Sequence, residues 1–149
     1  STLLAMVLGA QDGICTAGEL KGGYLGNVAK YRCSCGQPIV NCSFWSRVSE
    51  RITHKGVQFD FNHFGTNICD IPDAYVSKLL RPLYRPALLE KLRDAGLFLS
   101  PIWHRHKEKV QTTNTALIQS LTEISGAQII VDSSETGLRL KYLLHNKCR

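Results

Sequence analysis

Four short groups of residues in this chain carry side chains that can do chemistry. The first is Ser1-Thr2, at the head of an apolar run. Leu3, Leu4, Val7 and Leu8 recur at helical spacing, so the two hydroxyls fall where an N-cap and first turn belong. The free N–H groups and partial positive charge of a helix start suit a phosphate or sulfate ligand; the plainer reading is an ordinary capped helix. The second group is Gly18-Glu19. Gln11-Asp12-Gly13 predicts a turn and Ile14–Ala17 a short buried strand, so the acid stands at the C-terminal end of that strand. In open α/β sheets this is the end where ligands bind. The third group, Asp132-Ser133-Ser134, follows the most strand-like run of the chain, Ala127–Val131. It reads either as a turn that caps the next helix or as a polar loop at the functional edge of a parallel sheet.

The fourth group is Arg32-Cys33-Ser34-Cys35-Gly36, then Pro38, then Cys42-Ser43-Phe44-Trp45. Cys33, Cys35 and Cys42 can be three thiolate ligands for zinc, with Cys69, His54 or His63 as a fourth. They can equally form a disulfide in an oxidising compartment, or pack unmodified beside Phe44 and Trp45. The spacing is not the paired C-x-x-C arrangement, so plain thiols are the first reading and zinc the second. Cys15, Cys69 and Cys148 stand alone and read as ordinary cysteines. His104-Arg105-His106 offers two imidazoles, but residues two apart on a helix do not share a face, so a solvated helix surface is expected.

The elements that must hold these groups follow from punctuation and periodicity. Residues 21–72 are broken by Gly22, Gly23, Gly26, Gly36, Pro38, Gly56, Gly65 and Pro72 and read as irregular. Asp73 caps a helix whose apolar face is Tyr75, Val76, Leu79 and Leu80, and Pro82 and Pro86 interrupt it. Ala87–Ala95 resumes helical spacing, with Gly96 as the expected stop. Ser100-Pro101 opens a long helix, N-cap then proline, that ends at Ser125-Gly126, and Leu138–His145 is a last short helix. The two strands predict one parallel sheet, with Glu19 and Asp132–Ser134 meeting at one edge.

The chain has 149 residues, 44% hydrophobic and 20% charged, with a net charge of +6. That is the balance of a globular domain, and no apolar run approaches the roughly 20 residues of a membrane span. The positive balance favours an anionic partner. The Lys and Arg residues are dispersed, however, which argues against nucleic acid and suits a nucleotide or sulfated ligand.

Taken together, the blocks resemble the sulfotransferases that use 3′-phosphoadenosine 5′-phosphosulfate, above all their bacterial and protein-tyrosine-like branches. Ser1-Thr2-Leu3-Leu4 looks like the second half of the loop that grips the phosphosulfate, and Gly18-Glu19 matches a Gly-Glu pair that follows it. Cys33, Cys35, Gly36, Cys42, Phe44 and Trp45 match a Cys-x-Cys-Gly…Cys-x-Phe-Trp knob, and Val131–Ser134 match a Val-Asp-Ser-Ser strand end. The resemblance implies an α/β fold with a P-loop-type parallel sheet flanked by helices. The 149 residues would be one partial domain, incomplete at both ends, with the cysteine-containing insertion at about 30–46. It implies in-line transfer of a sulfuryl group to a hydroxyl or amine of a small-molecule, glycan or peptide acceptor. Glu19 would be the catalytic base, and Ser1, Thr2, Ser133 and Ser134 would contact the donor. No metal is required in such chemistry, and the bacterial-type knob suggests a cytoplasmic protein.

Departures from the pattern shape further expectations. The basic residue of the phosphosulfate loop would precede Ser1, and the Arg-Asp strand that binds the 3′-phosphate would follow Arg149, so these residues alone are expected to bind the donor poorly and to be inactive. Most relatives carry lysine where this chain has Glu135, and Arg139 is a candidate to compensate. Two other classes stay open: a P-loop-type small-molecule kinase, with Asp132 as a metal ligand, and a non-catalytic zinc module built on the cysteine knob.

Overall fold

The structure is a computed structural model and describes residues 2–20, 28–81, 86–134 and 137–144. It is a helix-rich α/β arrangement with a small parallel sheet. Helix α1 spans Thr2–Gly9 and strand β1 Ile14–Thr16. Then come α2 (Ser43–His54), α3 (Ala74–Leu79), α4 (Ala87–Phe98), α5 (Pro101–Ser125), strand β2 (Ile129–Val131) and α6 (Gly137–Leu144).

The strands pair in parallel, with Ile14 opposite Ile129, Cys15 opposite Ile130 and Thr16 opposite Val131. Each is shorter than the expected run, but the register is the one that brings the residues after both strands to the same edge. α1 packs on β1 through Gly9, where a Cβ would come within 2.8 Å of the Thr16 hydroxyl oxygen. Leu3, Leu4, Met6 and Val7 leave α1 mostly exposed, so its apolar stripe is not buried within the described residues.

α5 is the spine of the fold. Ser100 caps it by accepting from the Trp103 N–H at 3.2 Å, Pro101 occupies its first turn, and Gly126 ends it at φ 69°, a left-handed conformation that costs glycine least. Its C-terminal half contributes Ala116, Leu117 and Leu121 to a core shared with Trp45, Val48 and Ile52 of α2. Each fully buried aliphatic side chain there stabilises the fold by roughly 1.5–3 kcal/mol. Its N-terminal half contributes Trp103 and Val110 to a second core with Val76 and Leu80 of α3, Leu97 of α4 and Tyr142 of α6.

Two expectations are corrected here. The stretch 21–72 is not uniformly irregular, because α2 lies inside it. Its Trp45, Val48 and Ile52 form one buried stripe, diluted in sequence by Ser43, Ser46, Ser49 and Thr53. Gly96 does not stop α4, which runs on to Phe98. The glycine instead lets α3 approach closely: a Cβ at Gly96 would sit 3.3 Å from the Tyr75 hydroxyl and 3.5 Å from Leu79 Cδ1. Asp73 caps α3 as expected, accepting from the Val76 N–H at 2.8 Å. No helix among the described residues is long and apolar enough to cross a membrane.

Candidate functional site

The ends of β1 and β2 are tied together by a ring of hydrogen bonds. Past β1, Gly18 turns the chain at φ 70°, its carbonyl accepts from the Ser133 N–H at 2.9 Å, and the Leu20 N–H donates to Asp132 Oδ1 at 3.1 Å. Glu19 is thus held on both sides by the loop after β2, with its own side chain exposed. Among the described residues Glu19 makes no ion pair. Asp132 Oδ2 accepts from Arg139 Nη2 at 2.8 Å and Nε at 3.1 Å. Arg139 Nη1 donates to the Thr66 carbonyl at 2.6 Å, and the Thr66 hydroxyl closes the ring by donating to the Leu20 carbonyl. Asn114 of α5 adds a further donor to the Thr66 carbonyl at 3.1 Å. Thr66, Asn114 and Arg139 are buried, so this polar ring lies beneath the exposed edge and fixes it. In such surroundings each bond of the ring is costly to break, although the Asn114 Oδ1 is buried without a partner among the described residues.

Burial alone would raise the Asp132 carboxyl. Hydrogen bonds from the Ser134 hydroxyl (2.6 Å) and N–H (2.9 Å), together with the Arg139 guanidinium, more than offset this and hold it below its ordinary value. The native state therefore binds fewer protons than the unfolded chain around the ordinary aspartate pKa of about 3.9. The stability from this carboxylate is fully present at neutral pH. It is lost as pH falls from about 4 through the lowered folded value. Urea midpoints followed from neutral to acid pH should fall less steeply in Asp132→Asn than in the parent, and superimposable slopes would refute the assignment.

Of the residues singled out by sequence, Glu19, Ser133 and Ser134 are brought together at this edge. Ser1 and Glu135 lie outside the described residues, as does the Thr2 side chain. Two expectations change. Arg139 is not a base held in reserve for Glu135, because its guanidinium is spent on Asp132 and Thr66 with its side chain only 4% exposed. Asp132 has both oxygens engaged, which does not suit the metal-ligand role of the kinase alternative.

The cysteine knob is a small hairpin. The Cys33 N–H donates to the Gln37 carbonyl and the Gly36 N–H to the Cys33 carbonyl, each at 2.8 Å, and Arg32 pairs with Pro38 across the base. The turn needs Gly36 at φ 83°. A short 3-10 turn, Ile39–Asn41, then delivers Cys42 to the N-cap position of α2. The three sulfurs all lie within 4.8 Å of one another, with Cys35 and Cys42 at 3.6 Å. Burial pushes the Cys42 thiol up, and the Trp45 and Phe44 N–H groups at the start of α2 oppose it. Burial would also raise Cys33, but the Cys35 N–H and the Cys42 and Cys35 thiols bring it below its ordinary value.

The expected ligand set, the phosphosulfate donor with no metal, is corrected by this cluster: three thiols stand near enough together to hold a metal ion. The expected fourth ligands do not join them. His63 pairs with Asp70, the Cys69 thiol donates to the Leu80 carbonyl at 3.6 Å, and among the described residues no fourth His, Cys, Asp or Glu completes the group.

A cleft of about 1190 Å³ between the 56–72 segment and α5 holds groups that the sequence did not single out as a unit. The His63–Asp70 pair, Arg105, His106 and Lys109 line it. His106 Nε2 donates to the Ile68 carbonyl at 3.2 Å on this side, whereas His104 donates to the Phe98 carbonyl at 2.6 Å, so the two imidazoles face different surroundings, as their spacing requires. Burial lowers the His106 pKa and keeps the ring neutral at pH 7. Only the tertiary approach of two segments 38 residues apart makes this wall; no local pattern signals it. No family model, no curated protein and no solved structure matches the chain.

Proposed function

We propose that the chain is part of a sulfuryl-transfer enzyme with a P-loop-type sheet, in which the edge formed by Gly18–Leu20 and Asp132–Ser134 faces the transferred group. The observation that supports this most is the clamp on Glu19. The backbone on both sides of an exposed carboxylate is fixed to the loop after the adjacent parallel strand. Transfer needs a base at a defined place, because the acceptor's proton must leave as its oxygen or nitrogen bonds to sulfur and the sulfur–leaving-group bond breaks. Glu19 takes that proton. The Ser133 and Ser134 loop and the start of α1 lie on the donor side, where hydroxyls and N–H groups suit sulfate oxygens.

The full-length protein, incubated with labelled activated sulfate and panels of phenols, alcohols and amines, is expected to yield labelled acceptor. Labelled product from none of these acceptors, together with magnesium-dependent ATP binding by the same folded protein, would overturn the proposal in favour of phosphoryl transfer.

A further inference from the structure

We propose that Cys33, Cys35 and Cys42 form a zinc site, three thiolates from a hairpin tip and a helix start. The sulfur geometry is the first support. A tetrahedral zinc ion with Zn–S bonds of about 2.3 Å spaces its thiolates about 3.8 Å apart. The Cys35–Cys42 pair is already at 3.6 Å, and all three sulfurs fit within 4.8 Å. An ion at their centre needs only small side-chain adjustments.

The backbone that holds the sulfurs is the second support. Cys33 and Cys35 project from one tight turn, closed by the Cys33–Gln37 and Gly36–Cys33 hydrogen bonds, and Arg32 Nη1 braces that turn by donating to the Gly36 carbonyl at 2.8 Å. Cys42 comes from the other side, at the N-cap of a helix packed into the main core. The three ligands thus come from two elements, the hairpin and the start of α2. A ligand set drawn from both is what a structural clip requires. Burial is graded in the same sense. Cys42 is 2% exposed, Cys33 is half-buried and Cys35 is exposed, so an ion can enter from the Cys35 side. The donor chemistry selects the ion class. Three soft thiolates suit zinc and disfavour magnesium or calcium, which take oxygen ligands.

Zinc content is read without reference to transfer activity. The full chain, purified under reducing conditions without chelator, is expected to carry one zinc per molecule by elemental analysis and to release it when an organomercurial blocks the thiols. Cobalt in place of zinc is expected to give the visible bands of a tetrahedral site and a thiolate charge-transfer band. Cys35→Ser, at an exposed position that leaves the core intact, is expected to keep the parent's circular dichroism and lose the zinc, whereas Cys15→Ser and Cys69→Ser keep it. Three results would each overturn the proposal: chain that stays metal-free in excess zinc, a Cys35→Ser variant that retains stoichiometric zinc, or a Cys35–Cys42 disulfide in the reduced preparation. Should Cys42→Ser fail to fold, the cobalt spectrum and the Cys35→Ser variant still decide.

Discussion

Replacing Arg139 with methionine is expected to cost the fold about 3 kcal/mol, the low end of the range for breaking a buried ion pair. The guanidinium does three things at once. It neutralises Asp132 through two nitrogens, donates to the Thr66 carbonyl, and ties α6 to the strand ends. Methionine fills the space but removes the guanidinium donors of Asp132 Oδ2 and leaves the Thr66 carbonyl with the Asn114 amide alone. Because the Asp132 side chain is 26% exposed, water takes up part of the loss, which places the expected cost at the low end rather than the middle of the range. Arg139→Lys keeps the charge but cannot make two bonds to Asp132 Oδ2 and one to the Thr66 carbonyl from a planar fork, so it should fall between parent and methionine. In a double-mutant cycle with Asp132→Asn, the second change should cost much less in the methionine background, since the partner is already lost. Urea unfolding of the four proteins measures this. A cost below about 1 kcal/mol for Arg139→Met would mean that the ring is a surface ornament, of the kind worth little in water.

The parts of this molecule that were legible in the sequence are those that local chemistry decides. Ser100-Pro101 and Gly126 mark both ends of α5 because an N-cap hydroxyl, a proline without an N–H and a left-handed glycine act within one turn of themselves. Asp73 announces α3 in the same way. The two strands, and the meeting of Gly18-Glu19 with Asp132–Ser134, followed from apolar runs and the geometry of parallel sheets. The cysteine knob was legible as spacing, although its convergence depends on a hairpin that Gly36 makes possible. The ring beneath Glu19 was not legible. Leu20 and Asp132 are 112 residues apart, and Thr66 and Arg139 are 73 apart, so no window contains both partners. Thr66 and Asn114 look like any surface polar residues until the core closes over them. α2 was missed for a different reason: its stripe of three apolar residues is sound, but its serines and the glycines around it argue locally for a loop. Gly96 misled because a glycine that ends a helix and one that admits a neighbouring helix are written alike.

Glu19→Gln in the full-length protein is expected to lower sulfuryl-transfer turnover by roughly 10²-fold or more, the usual scale for removing a general base. The amide keeps the size and the hydrogen-bonding reach of the carboxylate but cannot accept the acceptor's proton at neutral pH. Because the side chain is exposed and makes no ion pair among the described residues, the fold should be unaffected, and its denaturation midpoint provides that control. Donor affinity should change little, since the residues proposed to contact the donor are the serines and the start of α1, so the loss falls on kcat rather than on KM. The backbone clamp gives a second test. Asp132→Asn weakens the anchor on the Leu20 N–H without touching Glu19 itself, so it should lower turnover less than Glu19→Gln while lowering stability more. A positioning residue and a base are separated by that inversion. If Glu19→Gln leaves turnover unchanged, the base lies elsewhere. The imidazoles of the cleft, His63 with its Asp70 partner and the neutral His106, are then the groups to replace, because both line the cleft between the 56–72 segment and α5 and imidazole is the side chain best suited to proton transfer near neutral pH.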